Sequence, residues 1–136
     1  ISNMPDTVVD HNTVVHNGNM ITTYGPASTG FVFTNNILKH NSYGIIGQDQ
    51  GSGIETLNVF FPRARVKRNV MVGADSARYP FDNLYPIDLL RVGFVAEAFD
   101  NYRLKPGGPY KGKGTDGKDV GCNLDALEAA LGRKVR

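Results

Sequence analysis

Val9-Asp10-His11-Asn12-Thr13-Val14-Val15, Phe33-Thr34-Asn35-Asn36-Ile37-Leu38-Lys39 and Val66-Lys67-Arg68-Asn69-Val70-Met71-Val72 align on a single asparagine. Each stretch reads as an apolar residue, two polar residues, Asn, and then three positions rich in apolar side chains. Asn12 and Asn36 lie 24 positions apart, and Asn36 and Asn69 lie 33 apart. The longer step fits the same period with about nine residues inserted between Gly47 and Pro62. His16-Asn17 matches His40-Asn41, so the first two repeats stay in phase beyond the asparagine.

A period near 24 with one Asn per unit has a physical meaning. Strands stacked ~4.8 Å apart bring equivalent residues of successive units directly over one another. An Asn at a sharp bend tolerates the left-handed backbone region, and its amide can bond to the Asn above and below as a ladder. The columns Val9, Phe33, Val66 and Val14, Leu38, Met71 are the expected inward positions. From residue 1 to about 75 the short apolar runs, Leu57–Phe61 included, are rich in Val, Ile, Phe and Thr, and read as strands without a helical period.

The bulk properties narrow the class. The chain has 136 residues and a mass of 14.8 kDa, enough for one domain, with twelve Asn beside sixteen Gly. A net charge of +2 is too small for a polybasic nucleic-acid binder. No apolar run approaches the ~18 residues that membrane insertion as a helix requires. A single cysteine, Cys122, excludes an internal disulfide framework and a multi-cysteine zinc site. The opening residues Ile1-Ser2-Asn3-Met4 run almost directly into a strand at Val8-Val9, which points to a fragment of a longer chain whose preceding N-terminal coils it contacts.

Beyond Ala74 the strand pattern fades. Tyr79-Pro80, Asp82-Asn83 and Tyr85-Pro86 mark turns, and residues 105–121 read as a Gly-, Pro- and Lys-rich loop. A short helix is expected near 125–131, started by an Asp125/Glu128 capping pair, ended at Gly132, and docked through Leu127 and Leu131.

With the asparagine repeats, the second-half segments Val92-Gly93-Phe94, Asn101-Tyr102-Arg103-Leu104, Gly108-Pro109-Tyr110-Lys111-Gly112 and Thr115 through Gly121 carry a resemblance. The chain resembles the C-terminal portion of the right-handed parallel β-helix proteins, pectate-lyase-like in architecture, that many bacteria secrete. It departs from their closing pattern at Gly108, where Ser is usual, and at Lys113, where a small residue is usual. The resemblance implies an all-β fold of about three coils over residues 1–75. It implies an irregular wrapping and capping segment over 76–136, and a secreted or cell-surface location. It also implies a polysaccharide as partner. The superfold hosts lyases, hydrolases, adhesins and inert scaffolds, so it does not select a chemistry.

Several constellations are candidate sites. Gly112-Lys113-Gly114-Thr115-Asp116-Gly117 matches a nucleotide-binding glycine pattern, but no strand leads in, no helix follows, and Asp119 stands where a P-loop needs Ser or Thr. No cofactor is therefore expected. Asp116 and Asp119 offer a weak Ca²⁺ reading against a plain Asp-Gly turn. His16 and His40 occupy one repeat position and would stack about one rung apart, either as a binding pair or as surface histidines beside turn asparagines. Asp10 and His11 form a possible dyad, although adjacent strand residues point to opposite faces. Arg63, Arg65 and Lys67 fall on one side of the third repeat. They either meet uronate carboxylates or protect a solvated edge. In related lyases a Lys, Arg or His removes the proton alpha to the carboxylate, but no such catalytic motif is matched here. Two functions follow: a non-catalytic structural or carbohydrate-interaction part, with His16, His40, Arg63, Arg65 and Lys67 as candidate contacts and Asn12, Asn36 and Asn69 as the ladder; or the rear portion of a polysaccharide lyase or glycoside hydrolase.

Overall fold

The computed structural model describes residues 1–134. Eight short strands from the three repeats build three parallel sheets. Strands β1 (Val8–Asp10), β4 (Val32–Thr34) and β7 (Arg65–Lys67) form one; β2 (Thr13–Val14), β5 (Ile37–Lys39) and β8 (Val70–Val72) form the second; β3 (Ile21–Thr23) and β6 (Ile45–Gly47) form the third. The register is that of the sequence repeat. Val9 pairs Phe33 and Phe33 pairs Val66; Val14 pairs Leu38 and Leu38 pairs Met71; Ile21 pairs Ile45 after the same 24-residue step.

Between the first two sheets runs a column of asparagine side chains. Asn12 donates its main-chain N–H (2.9 Å) and its Nδ2 (3.0 Å) to Asn36 Oδ1. Asn36 donates the same two groups to Asn69 Oδ1 at 3.1 and 2.9 Å. The column continues one step beyond the three sequence repeats: Asn69 donates both groups to Asn83 Oδ1, each at 3.0 Å. Asp82–Tyr85 thus forms a shortened fourth rung, with Leu84 bridging Val70 in parallel. Its asparagine follows Asn69 by only 14 residues, out of step with the 24-residue period.

The left-handed residue at each bend is not the ladder asparagine but the one before it. His11, Asn35 and Arg68 have φ of 51°, 57° and 55°. The correction has a simple cause. The ladder Asn must aim its own N–H along the stack, so the turn is absorbed one position earlier.

Residues 48–61 also differ from expectation. They contain α1 (Ile54–Phe60), not a strand. Thr56, Leu57 and Phe60 form one buried helical face, and the adjoining Phe61 lies 4.4 Å from Phe31 between ring centroids. Thr56 Oγ1 accepts from Gly47 N–H and donates to Gly51 O, which ties the helix to the end of β6. Packing of that face overrides the local β preference of Val59, Phe60 and Phe61.

Two cores result. One lies inside the sheets and contains Ile21, Phe33, Leu38, Ile45, Val66 and Met71. The second lies on the outer face of β5 and β8, where Ile37, Val70 and Val72 meet Val92, Phe94, Leu104 and Val120. This explains why Ile37-Leu38 and Val70-Met71-Val72 are apolar on both faces. The segment that covers them contains an antiparallel pair, β9 (Phe94–Ala96) and β10 (Asn101–Leu104), followed by α2 (Leu124–Leu131).

The cap of α2 is Asn123, whose side chain accepts from Ala126 N–H. Asp125 and Glu128 do not form the expected capping box, because both carboxylates bind Arg103, each at 2.8 Å. The helix buries Leu124 and leaves Leu127 and Leu131 exposed, so it is held by Leu124 and the Arg103 pair instead of the Leu127/Leu131 face. Gly132 closes it in the left-handed conformation.

Replacing Asn69 by Ala leaves the Asn36 main-chain N–H, one Asn36 Nδ2 proton and the Phe33 carbonyl without their side-chain partner inside the protein, while Asn83 Oδ1 keeps the main-chain N–H of position 69. Each buried unpaired group costs ~1–3 kcal/mol. The expected loss is several kcal/mol in urea unfolding, against about 1 kcal/mol or less for Asn12→Ala at the exposed end. Equal losses for the two variants are incompatible with a buried, directional ladder.

Candidate functional site

The bend of the first repeat and the loop 112–121 converge on His11. Its left-handed backbone breaks strand alternation, so Asp10 and His11 reach the same side after all, with Nε2 4.0 Å from Asp10 Oδ2. The ring Nδ1 sits 3.3 Å from Gly121 O, a contact only a donor can make, and Nε2 lies 3.4 Å from Asp116 Oδ2. Protonated, the ring pairs with two carboxylates. Nε2 itself is closed off from solvent and makes no hydrogen bond. Asp10 Oδ1 accepts from Thr34 Oγ1 (2.7 Å) and Asn35 Nδ2 (2.8 Å), and Asn35 in turn binds Thr115 through both its side-chain atoms.

Beside this cluster opens a cleft of about 690 Å³, walled by His11, Tyr102, Arg103, Lys111, Asp119 and Cys122. That volume suits a small ligand. Its charges, however, are matched internally. Arg103 is held by Asp125 and Glu128, Lys111 Nζ by Asp119 Oδ2 at 2.6 Å, and Lys118 Nζ by Asp116 Oδ2 at 3.4 Å. Cys122 is half-buried on the wall, with its N–H donated to Thr13 Oγ1. Gly121 is required here: its φ is 86°, and a Cβ on it would run into Thr13 Oγ1 and Ile37.

The expected Ca²⁺ ligands are already engaged. Asp116 Oδ1 accepts from Lys118 N–H, and Asp119 Oδ1 accepts from Gly112 N–H. Among the described residues no group of three or more His, Cys, Asp or Glu side chains is arranged to hold a metal ion. Both carboxyls lie below the ordinary carboxylate range. For Asp116 the first cause is the Lys118 N–H bond, helped by the Lys118 side chain and by His11. For Asp119 burial raises the value, but the bonds from Lys111 and Gly112 outweigh it.

His16 and His40 are engaged differently. Although they stand on the same repeat position, their side chains take different partners. His40 is buried, with Nδ1 donating to Asn41 O (2.9 Å) and Nε2 accepting from Tyr79 Oη (2.9 Å). Tyr79 Oη also accepts Ile45 N–H at 3.2 Å, so this pair satisfies β6 where the third repeat supplies no strand. Burial raises the Tyr79 pKa. A Cβ on Gly44 would collide with both rings. His16 contacts Asn41 instead, and its Nε2 is buried without a hydrogen bond.

Arg63, Arg65 and Lys67 are exposed, and none makes an ion pair among the described residues, whereas neighbouring Arg68 pairs with Asp82 at 3.2 Å. Arg65 and Lys67 flank buried Val66 on β7, the outermost strand of its sheet. Arg63 sits before the strand in a left-handed turn with φ of 60°. Of the aromatics with sugar-stacking shape, Phe60, Phe61 and Tyr79 are buried, while Tyr24 and Tyr43 are each 59% exposed. No protein-family model matches the chain, and neither does any curated protein or solved structure.

The depressed Asp116 and Asp119 values fix a sign. A carboxyl whose folded pKa lies below its unfolded value gives stability that is complete above the unfolded value near ~3.9 and lost as pH falls through the folded one. In an NMR acid titration the Gly112 and Lys118 amides should therefore shift with midpoints below ~3.9, and Asp119→Asn should remove the Gly112 transition alone. Midpoints at or above that value count against the loop anchors.

Proposed function

We propose that this chain is a non-catalytic part of a right-handed parallel β-helix, located outside the cell or at its surface, that contacts an acidic polysaccharide. In-register parallel pairing in three sheets and the continuous asparagine row support the β-helix reading. The observation that carries the binding reading is the contrast in charge compensation. Cations around the cleft are each neutralised by a carboxylate, whereas Arg63 in the turn before β7 and Arg65 and Lys67 on it stand exposed and unmatched. A guanidinium offers two parallel donors to a carboxylate, which suits uronate units presented at intervals along a chain.

A second reading, the rear portion of a lyase or glycoside hydrolase, is favoured by one observation: His11 lies between the carboxylates of Asp10 and Asp116 at the wall of the cleft. Against it, Nε2 has no access to solvent.

Titration with polygalacturonate and with a neutral glucan separates these readings. Salt-sensitive binding to the acidic polymer alone is expected. The triple change Arg63→Gln, Arg65→Gln, Lys67→Gln should weaken it about tenfold, since three exposed pairs contribute ~0.2–1 kcal/mol each. An unaffected triple variant removes the polysaccharide assignment and leaves the row as edge protection. New unsaturated-uronate absorbance or new reducing ends would establish the enzymatic reading.

A further inference from the structure

The asparagine column has a direction, and its two ends differ. Each inner rung follows one pattern. Its Oδ1 receives two N–H donors from the preceding repeat, and its Nδ2 donates both to the next asparagine and back to a main-chain carbonyl of the preceding repeat. The backward acceptors are Val9 O for Asn36 (2.9 Å), Phe33 O for Asn69 (2.7 Å) and Val66 O for Asn83 (3.0 Å). At Asn83 the column is closed, because the forward proton of Nδ2 goes to Pro80 O at 2.9 Å.

At Asn12 it is open. No donor reaches Asn12 Oδ1 among the described residues, and the backward proton of Nδ2 turns to its own Asp10 O. The surroundings are open in the same direction. β1, β2 and β3 are each the first strand of their sheet. Val8 is 63% exposed, and a cleft of about 580 Å³ runs between Ile1, Val8, Val14 and Met20 down to the core residues Phe33 and Leu38. Hydrogen-bond acceptors, strand edges and apolar surface therefore end together on one face.

We infer that this face docks one further parallel β coil, whose own ladder residue presents a main-chain N–H and an amide Nδ2 to Asn12 Oδ1. Such a coil pairs with β1 and β2 in register, covers Val9 and Val14, and reaches β3 where the Ile1 ammonium now binds Thr22 O at 2.7 Å. The donor requirement is what identifies the occupant. A second copy stacked head to tail offers Asn83, whose Nδ2 is held by Pro80, and two copies meeting at this face oppose one acceptor with another. The inference rests on the parallel-coil reading above but not on polysaccharide binding, which resides on β7.

The chain's own second repeat supplies the probe. A copy of residues 25–48 placed directly ahead of Ile1 puts its copied Asn36 the native 24 positions before Asn12. In the existing repeats Val32 N–H donates to Thr7 O and Ile37 N–H to Asn12 O, so the equivalent Val8 and Thr13 amides should acquire acceptors. Their hydrogen exchange should slow about tenfold or more, and Asn36→Ala in the added copy alone should reverse most of that protection. Unchanged exchange at Val8 and Thr13, with the Asn36 and Asn69 side-chain signals of the original repeats intact, overturns the inference. So does equal protection by the Asn and Ala copies. Sedimentation of the unextended chain gives the other arm: a concentration-dependent dimer that protects the same two amides would assign the face to a second copy. Polygalacturonate binding, measured separately, is expected to be the same with and without the added coil.

Discussion

A primary amide has two donor protons and an acceptor oxygen, and burying it unpaired is costly. Asn36 and Asn69 are fully buried, so the chain must deliver partners to every one of these sites. Stacking identical bends at one register does this with no other polar residue involved. Each oxygen takes two protons from one side, and each Nδ2 gives one forward and one backward. A slip of one residue would break every rung at once and turn Phe33, Val66, Leu38 and Met71 away from the interior. The register of the first two sheets therefore depends on this column.

The same constraint sets the bend. Because the asparagine aims both its N–H and its amide along the stack, the residue before it takes the left-handed conformation, whatever its type: His, Asn or Arg. That conformation costs ~1 kcal/mol or more for a residue with a side chain, and the ladder bonds offset it. The bend also brings the polar side chains of Asp10, His11 and Asn35 to one side, and there Thr115, Asp116 and Gly121 from the closing segment bind His11 and Asn35. The attachment of the second half thus follows from the geometry of the first. Where the repeat fails, single residues substitute for it: Tyr79 caps β6 with its hydroxyl, and Asn83 ends the column on Pro80.

The strands of the first half were legible because their signal is periodic. Asn12, Asn36 and Asn69 recur in phase with their apolar neighbours, and the structure pairs those residues one to one. Features without a period were not legible. The helix Ile54–Phe60 carries strand-forming residues and is decided by its contact with Phe31 and β6. Asn83 breaks the spacing. Regular strand alternation would put Asp10 and His11 on opposite faces, and one positive φ at His11 breaks that alternation. Asp125 and Glu128 have the spacing of a capping box, yet Arg103, 22 residues from Asp125, claims both. Of the candidate site residues, Arg63, Arg65 and Lys67 are exposed, with Arg63 in a left-handed turn outside the strand, whereas His40 is engaged in a contact with Tyr79 that no local pattern encodes.

Charge matching separates the two surfaces on which function could reside. Around the cleft, lysines and arginines meet carboxylates at 2.6–3.4 Å, and a ligand entering there would have to displace those pairs. Along β7 no such displacement is needed, because the cations face water already. Exposed single charges bind weakly, but a repeating polymer meets several at once, and linked contacts raise the effective concentration of each remaining one. A flat strand edge with cations on alternate positions is therefore better suited to an extended polyanion than to a small anion, while the compensated cleft chiefly fastens the closing segment to the stack.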